Sequence, residues 1–231
     1  MGDVEVLLGD SLLPPTAPAG GSMQTASTAP AIRLACERIV ARLGGAMPSP
    51  GDLAAVFDRL GTATLQESAQ YSAFDGKGAD GRATVSTPNG PESVAVFSFG
   101  AQFAEVRINA RTKELRVPRL VGAFAAGRIL NERMALAQYR GGMIWGLSSA
   151  LFEGLEIDPT LGRAINTNIA EYAVPVNADV QTVEAILVPE EDHEVNPLGV
   201  KGIGEIGIVG VAAAVSNAIF HATGKRIRTL P

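Results

Sequence analysis

The chain has 231 residues, 46% of them hydrophobic and 19% charged, enough for one large or two modest domains with a real core. A net charge of −5 and no basic run longer than Lys225-Arg226, with Arg228 just beyond, exclude the basic face that nucleic-acid binding needs. One cysteine excludes an intrachain disulfide or a cysteine-only iron–sulfur site, and the two histidines lack zinc-site spacing.

The 26 glycines and 14 prolines predict many turns between short elements, as in an irregular α+β protein. Aromatics are only 5%, so Ala, Val, Ile and Leu must carry the core. No run of ~18 continuous apolar residues predicts a membrane span, and the N-terminus has no signal-peptide pattern. The expected location is the cytoplasm, or the periplasm if a partner carries an export signal.

Val4 to Leu8 reads as a short strand. The Pro/Gly stretch 14–22 reads as a loop. A helix is predicted from about Pro30 to Leu43, with Pro30 in its first turn and Thr28 as cap. Ile32, Ala35, Cys36, Ile39, Val40 and Leu43 follow helical spacing, which predicts a buried structural thiol at Cys36. Gly44-Gly45 stops that helix. A second short helix spans 50–60. Residues 61–92 carry little pattern, and Asp75 to Gly81 reads as an exposed loop.

Val94 to Ile108 reads as one long strand with Phe97, Phe99, Phe103 and Val106 as core candidates. A hairpin turn over 109–113 leads to a strand from Leu115 to Val121, interrupted by Pro118. A helix follows from about Asn131 to Glu153. Gly141, Gly142 and Gly146 each cost it about 1 kcal/mol against Ala, so a close neighbour must repay them. Loops and short strands fill 154–180, and Thr182 to Pro189 is another strand. The acidic run Glu190-Glu191-Asp192, with Glu194, reads as a solvated turn. Gly207 to His221 is apolar nearly all round and so is expected to be buried on most sides.

The segment richest in chemical information is Asn196 to Gly210, NPLGVKGIGEIGIVG. Gly202, Gly204 and Gly207 spell G-x-G-x-x-G, but a turn precedes them instead of a strand, and no acidic residue follows at the right distance. A dinucleotide fold is therefore disfavoured. A Walker loop is excluded because no Gly-Lys-Ser/Thr is present. What remains is a glycine-rich loop feeding a helix N-terminus, which lets a ligand approach backbone N–H groups. If the apolar helix draws Glu205 inward, desolvation raises its proton affinity toward that of a general base. Equally, Glu205 is a first-turn residue complementing the helix dipole. The residues alone leave both roles open.

Lys201-Gly202-Ile203-Gly204-Glu205 followed by an Ala-rich helix resembles the active-site segment of molybdenum hydroxylases of the xanthine dehydrogenase/aldehyde oxidase family. Two further segments agree in order. Gly20 to Ser27 resembles the family's pterin-holding loop. Gly127-Arg128-Ile129-Leu130-Asn131 with Gln138 to Gly142 resembles its Gly-Arg-x-x-Asn…Gln-x-x-Gly-Gly element. Glu132 departs from the Pro that many members carry there. The ending, Ala222 to Pro231, is similar to that of the bacterial molybdenum-binding subunits.

The resemblance implies an α+β fold, the C-terminal molybdopterin-binding region of such a subunit, covering 1–231, with 1–92 and 93–231 as the alternative division. It implies Glu205 as the catalytic base toward Mo–OH. It implies Gly21, Ser22, Met23, Gln24, Gln138 and Ile203 as cofactor contacts, with no protein ligand to the metal. The expected reaction oxidises an aldehyde or N-heterocycle with water-derived oxygen. The expected cofactor is molybdenum–molybdopterin in its cytosine dinucleotide form, with FAD and [2Fe–2S] clusters on partner subunits. Because the region is roughly the last third of such a subunit, the chain is expected to need the upstream part and to be inactive alone. The competing expectation is an inactive remnant or an assembly module without cofactor.

Overall fold

The computed structural model describes residues 5–7, 9–16, 20–22, 24–71, 82–87, 90–95 and 97–231. Helix α1 (Gln24–Arg42) and α2 (Leu53–Leu60) come first, then a hairpin of β1 (Arg82–Thr87) and β2 (Gly90–Ala95). Strands β3 (Phe99–Ile108), β4 (Leu115–Ala125) and β7 (Thr182–Leu187) form a three-stranded sheet in the order β3-β4-β7. Helix α3 (Glu132–Leu151) lies between β4 and β7. The small β5–β6 pair, Ile157–Asp158 with Arg163–Ala164, follows it. The chain closes with α4 (Ile206–Val209) and α5 (Val211–Thr223).

β3 and β4 run antiparallel, whereas β4 and β7 are parallel, so the connection between them must cross over, and α3 supplies the crossover. Asn131 caps α3 by accepting the Met134 N–H at 3.1 Å. In the β3–β4 turn the Asn109 side chain accepts the N–H groups of Arg111 and Thr112. Pro118 interrupts nothing. The β3–β4 register slips between Glu105 and Arg107, and β7 pairing begins only at Arg119, so no ladder bond requires an N–H at 118.

α3 and α5 cover one face of this sheet. Val117, Leu120 and Phe124 from β4 meet Ala135, Tyr139, Met143 and Leu147 from α3 and Val211 and Val215 from α5. The Phe124 and Tyr139 rings stack with centroids 4.4 Å apart. Each fully buried large apolar side chain stabilises the fold by roughly 1.5–3 kcal/mol. The helices approach closely because glycines face each other: a Cβ on Gly142 would lie 3.1 Å from Gly207 Cα. Tight helix packing thus accounts for Gly142, whereas Gly141 is exposed with open space beside it.

Several expectations change. Residues 5–7 lie outside any strand; Val4 and Leu8 are outside the described residues, as is the Asp75–Gly81 loop. α1 starts at Gln24, so Pro30 lies inside the helix, buried, and Thr28 is no cap. Cys36 is exposed, because α1 buries only a narrow side. The long strand divides: Ala95 ends β2 and Phe99 begins β3. In β3 the even positions Ala104 and Val106 face the core. Phe97, Phe99 and Phe103 are instead exposed, by odd register in the case of the two within the strand.

The C-terminal helix breaks at Gly210 and is buried on one side only. Val211 and Val215 are buried, while Val209 is 71% exposed. Ile206–Thr223 is a helical stretch long and apolar enough to cross a membrane by length and composition; here its buried residues belong to the core.

Candidate active site

The turn Asn196–Val200 sets up the glycine-rich loop. Asn196 is buried; its Nδ2 donates to Val200 O at 2.7 Å and its Oδ1 accepts from Leu198 N at 3.0 Å. The turn is tied to the end of β4, where Arg128 N donates to Gly199 O at 2.7 Å. Lys201 follows with a side chain only 5% exposed, paired with Glu190 at 2.7 Å and Asp192 at 2.6 Å. The expected solvated acidic turn is therefore half of a buried ion cluster. Only Glu191 and Glu194 of that run are exposed.

Burial pulls the Lys201 ammonium down, but its hydrogen bonds to Asp192 and Glu190 outweigh this and hold it above the ordinary lysine value. The Lys201 hydrogen bond holds the Asp192 carboxyl below the usual range, against its desolvation.

Beyond Lys201 the loop meets the segment before α1. Gly204 N donates to Gly21 O at 2.9 Å, and a Cβ on Gly204 would lie 2.4 Å from Gly21 C, so only glycine permits this approach. Gln138, from α3, donates through Nε2 to Gly204 O at 2.7 Å. Ser98 Oγ donates to Gly202 O at 2.7 Å. The structure thus brings together Gly21, Ser22, Gln138, Ile203 and Glu205 from three separated stretches. Ile203 is partly buried against the core. The placement of Met23 lies outside the described residues.

Gly21 and Ser22 both have positive φ, 57° and 56°, immediately before the N-terminus of the 19-residue α1. The first N–H groups of a helix have no intrahelical acceptor and favour an anion. Gln24 Nε2 donates to Thr28 Oγ1 at 3.1 Å, while Gln24 Oε1 is buried with no partner. A turn with positive-φ backbone at a helix N-terminus suits a phosphate-bearing group, and the unmatched Gln24 Oε1 is an acceptor open to an N–H of such a ligand.

Glu205 stands at the N-cap of α4, but its side chain caps no N–H. It is exposed, not drawn inward, because the apolar residues of α4 and α5 turn one side to the core and carry the loop along the surface. Two groups escaped sequence reading. The first is the Lys201–Glu190–Asp192 cluster. The second is Gln102 in β3, whose Nε2 donates to Ile206 O at 3.2 Å and Gly207 O at 2.8 Å. That amide satisfies carbonyls near the Gly210 break. Its own Oε1 is buried without a partner. The signal for Gln102 was its inward parity on β3; the pairing of Lys201 had none in local sequence.

A groove of about 640 Å3 between β3 and α5, lined by Phe103, Val121 and His221 among others, does not include Glu205 or Gln138. Among the described residues no cluster of three His, Cys, Asp or Glu is arranged to hold a metal.

The comparisons define the class of domain to which this loop and helix N-terminus belong. The chain belongs to the Molybdopterin cofactor-binding domain family, which it matches over residues 1–181. It is 32% identical over 228 residues to the aldehyde oxidoreductase molybdenum-binding subunit PaoC of Escherichia coli K12, covering 99% of this chain and 31% of that protein. It is 35% identical over 134 residues to the putative xanthine dehydrogenase molybdenum-binding subunit XdhA of the same organism, covering 58% of this chain and 18% of that protein. The solved aldehyde oxidoreductase of Desulfovibrio desulfuricans superposes with a TM-score of 0.72 at 25% identity, over 93% of this chain and 22% of that one. The chain thus spans less than a third of the length of these relatives.

Proposed function

We propose that this chain supplies the catalytic base and part of the cofactor cradle of a molybdenum hydroxylase. The observation that supports the reading is the meeting of Gly204 with Gly21 and Gln138, one residue before Glu205, whose side chain makes no capping bond. Residues 1–231 form one cofactor-binding region in this reading. Gly21, Ser22, Met23 and Gln24 hold the pterin and its phosphates, chiefly through backbone N–H groups at the start of α1. Gln138 and Ile203 border it from the other side.

The group held there supplies two-electron oxidation chemistry and activates oxygen derived from water. The work of the chain is positional and acid–base. Glu205 takes up a proton on a carboxylate oxygen, and its lack of a capping bond leaves both oxygens free for that task. The cytosine dinucleotide form of molybdopterin fits a bacterial subunit of this kind. Electrons pass to a [2Fe–2S] subunit and an FAD subunit, and the remainder of a molybdenum-binding subunit supplies the other cofactor contacts. The chain by itself is inactive.

Aldehydes are the favoured substrate class over N-heterocycles. The similarity to the aldehyde oxidoreductase subunit covers 99% of the chain, against 58% for the xanthine dehydrogenase subunit. Glu205→Gln tests the base in the assembled enzyme. Molybdenum and pterin contents stay at the unsubstituted level, and turnover falls ~10² to 10⁴-fold. Near-normal turnover in a metal-replete Gln variant rejects the assignment.

A further inference from the structure

The buried charge cluster at the entrance to the 202–205 loop has no part in the acid–base step. An ammonium has three N–H donors, and Lys201 Nζ meets three acceptors: Glu190 Oε1 at 2.7 Å, Asp192 Oδ2 at 2.6 Å and Phe97 O at 3.1 Å. Glu190 uses its other oxygen, Oε2, to accept the Gly127 N–H. One cation thereby ties four stretches together: the approach to β3, the end of β4, the segment after β7 and the loop itself. Ser98, next to Phe97, holds Gly202 O from the same side.

The stretch from Gly202 to Glu205 contains two glycines and has little conformational preference of its own. Its far end is held by Gly21 and Gln138 through Gly204. Its near end is held by Lys201 and Ser98. A buried ion pair is often no more stabilising than apolar side chains of equal volume; its best-attested use is to select one arrangement over others. A cluster with every lysine donor matched, placed four residues before an otherwise free carboxylate, fits that use.

We propose that Lys201 is a positioning residue of the candidate active site, fixing through Glu190, Asp192 and the Phe97 carbonyl the backbone from which Gly204 and Glu205 are presented. The proposal rests on the reading of Glu205 as the base, but it concerns the order of the loop, which is measured apart from turnover.

The test is amide hydrogen exchange, followed by mass spectrometry, on the assembled cofactor-loaded enzyme. It compares the unsubstituted protein with Lys201→Met and with the triple variant Lys201→Met, Glu190→Gln, Asp192→Asn. The triple variant removes the cation together with both anions, so no unpaired buried charge threatens folding. In it, peptides covering 199–205 are expected to exchange at least about tenfold faster, while peptides from the middle of α3 exchange as before. Its kcat is expected to fall about tenfold or more with KM changed less than about twofold, the pattern of a misplaced catalytic group.

Unchanged exchange over 199–205 in the triple variant overturns the proposal. So does acceleration that spreads equally into α3, since the cluster would then serve general stability only. Full turnover in Glu205→Gln would remove the base reading while leaving the exchange result standing, so the two failures are distinguishable.

Discussion

The two ends of the stretch from Lys201 to Glu205 are held in opposite ways. At the first, a side chain only 5% exposed finds an acceptor for every donor. At the second, four residues on, the side chain is exposed and caps nothing, although its residue occupies a capping position. The difference teaches how the loop is held: its backbone is over-determined at one end, while the carboxylate at the other stays uncommitted. The burial expected for Glu205 is not found: its side chain is exposed.

The largest effect on stability is expected at the closed end. Lys201→Met leaves Glu190 and Asp192 partly buried without their cation, a loss of ~3–5 kcal/mol. Denaturant unfolding measures it as a lower midpoint. Glu205→Gln, at the open end, is expected to shift stability by less than about 0.5 kcal/mol. Equal effects from the two would break the contrast.

The pH dependence of stability sharpens the same point. Lys201 is held above its ordinary 10.5, while burial, with the nearby Glu190, pushes Tyr139 from 10.0 up to about 12. Above about pH 10 the folded chain therefore binds more protons than the unfolded one, and stability falls as pH rises. Asp192 is held below 3.8, so its contribution is present above that pH and lost as pH falls through its folded value. Lys201→Met is expected to flatten both limbs, leaving on the alkaline side the part due to Tyr139. Unfolding midpoints across the pH range check this.

Gly207→Ala comes next, just past Glu205 where the chain turns inward. Its Cβ would lie 2.7 Å from Tyr139 O and 3.3 Å from Gly142 Cα, both backbone atoms of α3 that cannot swing aside. Overpacking of this kind costs about 1–3 kcal/mol, read as a lower melting temperature. An unchanged melting temperature would mean that α4 rides loosely on α3, and that the loop lacks a rigid base on that side.

The sequence was most legible where one residue type had one use. Spacing singles out the G-x-G-E segment, the resemblance alone adds the Gly21 turn and Gln138, and the structure brings them into one place. Legibility failed where a tertiary partner decided the matter. Phe99 and Phe103 were read as core because aromatics usually are, yet strand parity turns them outward. The acidic run after β7 read as solvated because nothing local shows that Lys201 lies against it, nine positions on from Asp192. Cys36 falls on an apolar stripe, but α1 finds little to bury it against.

Gln138 supplies the finest division between the two ends. It is exposed, and its single bond to Gly204 O links α3 to the open end of the loop. Gln138→Leu keeps the side-chain volume and removes the donor. A lost neutral hydrogen bond at an exposed site costs only about 0.5–1.5 kcal/mol, so the melting temperature is expected to move little. On the proposed reading, molybdenum and pterin content falls all the same, because the Gly204–Gly21 contact loses its support from α3. The variant at the closed end is expected to differ in showing its larger effect on the unfolding midpoint. If Gln138→Leu retained full cofactor, the clasp at Gly204 would depend on Gly21 alone, and the contribution of α3 would be limited to packing through Gly142.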